Sequence, residues 1–90
     1  MDIIGRHFLP DFWQRHPESE SALRGVAAII AAATWRDDND IRRHLGTAVT
    51  PMGEGRMILA DPDGRFELTL RVSFPRQLIH ILAIREASHE

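Results

Sequence analysis

The chain has 90 residues, 43% of them apolar and 27% charged, with a formal net charge of −2 and no cysteine. That length suits one domain spanning residues 1–90 around a modest core. The composition excludes a disordered segment, a disulfide scaffold and a thiolate metal site. No apolar run approaches the ~20 residues of a membrane span, and the opening residues, with Asp2 and an early Phe8-Leu9-Pro10 break, lack a signal-peptide layout, so a cytosolic location is expected.

In chain order, Asp2-Ile3-Ile4-Gly5 predicts a short opening strand, and residues 7–16 a short helix with Phe8, Leu9, Phe12 and Trp13 on one face. His16-Pro17 ends it, because proline disfavours helical geometry in the residue before it. A second helix follows over Pro17 to Thr34, with Leu23, Val26, Ala27, Ile30, Ala31 and Thr34 at core spacing. Its Gly25–Ala33 stretch is small and apolar all round. Two readings stand: a helix buried on more than one side, or an outer face that docks another protein chain. Trp35 is a core anchor, Asp37-Asp38-Asn39-Asp40 is a capping turn, and Ile41–Leu45 is a short helix stopped by Gly46.

The second half alternates. Thr47–Thr50 predicts a strand, Pro51–Gly55 a turn, and Arg56–Ala60 a second strand. Asp61-Pro62-Asp63-Gly64 carries the residues of a tight reversal, which makes the strands on either side antiparallel neighbours. From Arg65 to Phe74 apolar and polar residues alternate without a fault, the period of a strand with one covered and one open face. Phe74–Gln77 turns the chain again, and Leu78–Ile84, apolar on both faces, belongs inside a sheet. The expected class is α+β, N-terminal helices packed on a curled, mainly antiparallel sheet.

The open face of the Arg65–Phe74 strand presents Arg65, Glu67, Thr69, Arg71 and Ser73 in a row. All eleven basic residues are arginine, permanently charged forks that suit phosphate or carboxylate. They are unevenly spread: residues 1–40 hold seven acids and four arginines, residues 65–85 four arginines and one acid. The row is either a solvated surface or a site for an anionic ligand.

Several stretches taken together resemble the HigB toxins of the RelE superfamily of messenger-RNA interferases. They are Phe12-Trp13-Gln14-Arg15-His16-Pro17, Ala33-Thr34-Trp35, Asp40-Ile41, Gly55-Arg56 and Leu70-Arg71-Val72-Ser73-Phe74-Pro75. The resemblance runs over nearly the whole chain. It implies a RelE-like fold and a toxin that cuts messenger RNA on the ribosome, held inactive by a cognate helix-turn-helix antitoxin. Where the family carries Lys-Tyr-Arg-Leu, this chain has Arg65-Phe66-Glu67-Leu68, and the family's C-terminal histidine and acid correspond to His89-Glu90. The alternative is the same fold kept as an antitoxin- or RNA-binding module with little or no catalysis.

Cleavage through the neighbouring 2′-hydroxyl needs a base, positive charge on the phosphorane and an acid for the leaving 5′-oxygen. Arg56, Arg65 and Arg71 suit the middle task, and guanidinium is no base near neutral pH. Glu67, His80 and His89 are the candidates for proton transfer. Glu67 could instead pair with Arg65, and His80, interrupting an apolar strand, reads as a satisfied, partly buried histidine. Arg76 and Arg85 join Arg56, Arg65 and Arg71 as candidate RNA contacts. No cofactor is expected, and no histidine spacing argues for a metal.

Overall fold

A computed structural model describes residues 1–87, so His89, one of the candidate catalytic residues, lies outside the described residues. The elements are strand β1 (Asp2–Ile4), helices α1 (Phe8–Arg15), α2 (Glu20–Ala32) and α3 (Asp38–Leu45), and strands β2 (Val49–Gly53), β3 (Arg56–Ala60), β4 (Glu67–Ser73) and β5 (Leu78–Arg85). The class is α+β. One five-stranded open sheet has the order β1-β5-β4-β3-β2, antiparallel except where β1 runs parallel to β5.

The core forms between the helices and one sheet face. Leu9, Phe12, Leu23, Ile30 and Ile41 from the helices meet Leu59, Phe66, Leu68, Leu70, Ile79 and Ile81 from the sheet side. Phe12 and Phe66 meet edge to face at 6.4 Å, a geometry contributing about 0.5–1.5 kcal/mol beyond burial. The apolar members of the alternating Arg65–Phe74 run face this core, so its polar members are left on the side the helices do not cover.

Local chemistry accounts for the helix ends. The α1 helix stops at His16, whose ring stacks on Phe12 at 4.4 Å while its N–H donates to the Phe12 carbonyl. Pro17 then opens a short 3-10 turn, so α2 starts three residues later than the proline suggests. The other end of α2 also comes early. The Met1 ammonium donates to the carbonyls of Ile30, Ala31 and Ala33, completing the negative end of the helix, and Ala33 turns extended. Thr34 is therefore exposed, while Trp35 drops into the core with its indole N–H donating to His44 Nδ1. Asp37 caps α3 by accepting from the Asp40 N–H at 3.0 Å, as a capping turn requires.

The α2 helix is covered on one side only. Leu23 and Ile30 are buried, but Ala28, Ile29, Ala31 and Ala32 are exposed, so burial on more than one side does not occur. Trp13 is partly buried in the groove between α1 and α2, with the Arg24 guanidinium 4.7 Å above its ring.

Two strand boundaries differ from the pattern in the sequence. The β2 strand runs on through Pro51 to Gly53, because Pro51 sits on an edge strand where no inward N–H is needed. Its turn shrinks to Glu54-Gly55, both at positive φ, the combination of a type I′ hairpin. The β4 strand starts at Glu67 rather than Arg65. Residues 61–66 form the connection, closed by bonds from the Gly64 N–H to the Asp61 carbonyl and from the Asp61 N–H to the Phe66 carbonyl.

Candidate nucleic-acid interface

The outer face of the sheet can be built strand by strand from its register. Arg56 on β3 stands opposite Arg71 on β4, Arg71 opposite His80 on β5, and His80 opposite Ile4 on β1. Directly paired residues have Cβ atoms about 5 Å apart. Three side chains able to carry positive charge thus cross the sheet in one lateral row, and Arg56, Arg71 and His80 are all exposed. Among the described residues, no carboxylate forms an ion pair with Arg56, Arg71 or Arg76. Two arginines placed opposite one another repel, so the arrangement lacks an internal stabilising partner.

Beside this row lies an open groove of about 280 Å³ lined by Ile4, Arg71, Ser73, Arg76, Leu78 and His80. Arg76 reaches it from the β4–β5 turn. That turn is anchored by Gln77, which takes a positive φ and donates its side-chain amide to the carbonyls of Trp35 and Phe74. On the far side of Arg56 a smaller recess of about 110 Å³ is shared with Arg42, Asp38 and Glu54.

Arg65 is not part of the row. It lies before the strand and folds back on its own turn, donating from Nε to Asp61 Oδ2 at 2.6 Å, from Nη2 to Asp63 at 3.0 Å and from Nη1 to the Glu18 carbonyl at 3.0 Å. Burial by itself would push the Asp61 carboxyl up. The Arg65 side-chain and backbone hydrogen bonds, with one from the Asp63 backbone and the Arg65 charge, outweigh it and hold Asp61 below the usual carboxylate range. The same contacts raise Arg65, its hydrogen bond to Asp61 first.

Glu67 is held too, though not by Arg65. Its partner is Arg85, with Nη2 at 2.8 Å from Oε1, on the neighbouring strand directly across the register. Four residues along β4 separate Glu67 from Arg71, about 13 Å of strand. The one carboxylate on the outer face of β4 is therefore neutralised away from the arginine row, and Arg85 is engaged there.

A bulge in β5 makes this possible. Thr69 pairs with Ala83 and Leu70 with Ile81, so Leu82 has no opposite residue. His80 and Arg85 are an odd number apart and would face opposite sides of a regular strand. The extra residue resets the alternation, and both end on the outer face while Ile79 and Ile81 stay buried inside. This corrects the partly buried reading of His80: β5 is an inner strand, but its outer face has no layer over it.

Of the sequence-derived residues, the structure groups Arg56, Arg71, Arg76 and His80. It assigns Arg65 to the β3–β4 connection and ties Glu67 to Arg85. The Phe74–Gln77 turn sets His80 beside Arg71, the ladder being regular from Ser73–Leu78 to Leu70–Ile81; the bulge beyond it sets the Glu67–Arg85 pairing and had no signal in the sequence, because it falls within the apolar run Ile81–Ile84. Among the described residues, no group of three or more His, Cys, Asp or Glu could hold a metal ion, and no helix is long and apolar enough to cross a membrane. No protein-family model matches the chain, and no curated protein matches it.

Proposed function

We propose that the chain is a RelE-like toxin of the HigB kind: an endoribonuclease that binds single-stranded messenger RNA, on the ribosome and in the cytoplasm, across the outer face of the sheet. The observation that carries this reading is the row of Arg56, Arg71 and His80, exposed and without an ion-paired carboxylate among the described residues. Adjacent cations are costly in the free protein, and a phosphodiester removes that cost. Guanidinium forks directed at one phosphate suit the charge that builds on a pentavalent phosphorane. A cognate helix-turn-helix antitoxin is the proposed partner. The exposed Ala28, Ile29 and Ala32 on α2 supply an apolar surface for it.

Induced expression of the isolated chain tests the function. Growth arrest, relieved by co-expression of the neighbouring gene, is the expected outcome, and Arg71→Ala in a folded protein abolishes the arrest. Unchanged growth on induction of the intact chain rejects the toxin.

A second reading is favoured by one observation: Arg65 and Glu67, two of the six candidate catalytic residues, are each held in ion pairs. On that reading the domain binds RNA or antitoxin without cutting. RNA binding by the row with no cleaved product would distinguish it.

A further inference from the structure

We infer that His80 is the proton-transfer group of the outer-face site, acting on the ribose 2′-hydroxyl of the bound strand; this rests on the ribonuclease reading above. The site needs a group that can both lose and gain a proton near neutral pH, and its arginines cannot. Among the described residues Glu67 is occupied by Arg85 at 2.8 Å, a strand's length from Arg71. His80 stands directly opposite Arg71, is exposed, and lines the same groove as Arg71, Ser73 and Arg76. The charged groups around it are Arg71 on β4, Arg56 beyond it on β3, Arg76 in the following turn, and Asp2 on β1, two residues from its opposite number Ile4. None of them makes an ion pair or a hydrogen bond to the imidazole among the described residues, which leaves both ring nitrogens available.

The Leu82 bulge bears on the same assignment. His80 lies on the turn side of it, in regular register with Arg71, and the bulge brings Arg85, further along the strand, across from Glu67 on the same face. The irregularity thus engages the nearby carboxylate with Arg85, away from His80 and the arginine row.

The step balances without a co-reactant other than water. A neutral His80 ring nitrogen takes the 2′-hydroxyl proton as the 2′-oxygen bonds to phosphorus. The bond from phosphorus to the 5′-oxygen breaks, the departing oxygen takes a proton from water, and the imidazolium returns its proton to the hydroxide left behind. The products are a 2′,3′-cyclic phosphate and a 5′-hydroxyl, and Arg56 and Arg71 hold the phosphorane charge between them.

The test uses the full chain with a single-stranded RNA oligonucleotide, free and on ribosomes programmed with it, and scores binding and cleavage separately. His80→Ala and His80→Gln are expected to slow cleavage about 100-fold or more while changing RNA affinity less than about threefold. Arg71→Ala should lose both. In the wild type the rate should rise with pH across the range where imidazole deprotonates, and the variants should lose that limb. Wild-type cleavage rates in both His80 variants would overturn the His80 assignment and leave the ribonuclease standing. RNA bound but never cut by the wild type would overturn the catalytic role and favour the binding module. No binding at all would overturn both.

Discussion

Arg65 and Arg71 occupy the same polar row of the sequence, yet their surroundings separate their roles. Arg65 satisfies the buried carboxylate of Asp61, whose side chain is 4% exposed. Asp61→Asn should lower stability by about 1–3 kcal/mol in urea unfolding at neutral pH, because it weakens a charge-assisted bond inside the fold. The pH dependence follows from the direction of the shift. With its folded value held down, Asp61 stabilises the protein above the ordinary carboxylate range, and that contribution is lost as pH falls through the folded value. The variant should therefore show a shallower loss of stability on acidification; an unchanged acid limb would remove Asp61 as its source. Arg65→Ala should destabilise to a similar degree while leaving RNA affinity per folded molecule intact, the reverse of what its place in the sequence row suggests. Ser19 is the opposite case. Its hydroxyl is fully buried and no hydrogen-bond partner was found among the described residues, so Ser19→Ala should be neutral or raise the unfolding free energy by about 1 kcal/mol.

At the scale of elements, the sheet's two irregular points control the candidate interface. In the β2–β3 hairpin, Gly55 has φ of +77°, and a Cβ there would lie 3.0 Å from the Val72 carbonyl oxygen, while the Val72 N–H donates to the Gly55 carbonyl and ties this corner to β4. Gly55→Ala should cost about 1–2 kcal/mol from the left-handed backbone alone and shift the adjacent Arg56. In β5, deletion of Leu82 should be tolerated, since removing the unpaired residue restores regular alternation on both sides of it. Deletion of Thr69 from β4 has no such remedy and should unfold the sheet or expose its apolar face. Thermal unfolding of the two deletions compares them directly, and equal losses would refute the bulge's role. On the helical side, Ala28→Glu should leave the fold unchanged because Ala28 is exposed, while weakening co-purification with the proposed antitoxin.

For the whole molecule, the decisive arrangement is two layers with one side left open. All three helices lie between β1 and β2 in the chain and supply the core on one sheet face, and the opposite face carries the arginine row. Net charge gives no hint of this, being −2 over the sequence. The local concentration of cations matters instead, and it predicts a measurable salt dependence. If Arg56, Arg71 and Arg76 each neutralise one phosphate, the logarithm of RNA affinity should fall with the logarithm of salt with a slope of about −2. A slope near zero would place binding on uncharged surface. Arg71→Ala should make the slope shallower by about 0.7.

The α+β class, the capping turn at Asp37, the hairpin at Asp61–Gly64 and the inward face of β4 were all legible in the sequence. Each depends on residues close together in the chain: a period of two, a proline before a glycine, an aspartate before a helix. Periodicity also put Arg71 on the open face correctly. What it could not supply was the identity of each residue's neighbours. Arg65 went to Asp61, Glu67 went to Arg85, and His80 came to stand beside Arg71, because pairing depends on register, which the Phe74–Gln77 turn sets for His80 and a bulge that apolar residues tolerate on either face sets for Arg85. Local sequence determined which side chains point outward; only the pairing of strands distant in the chain decided which of them meet.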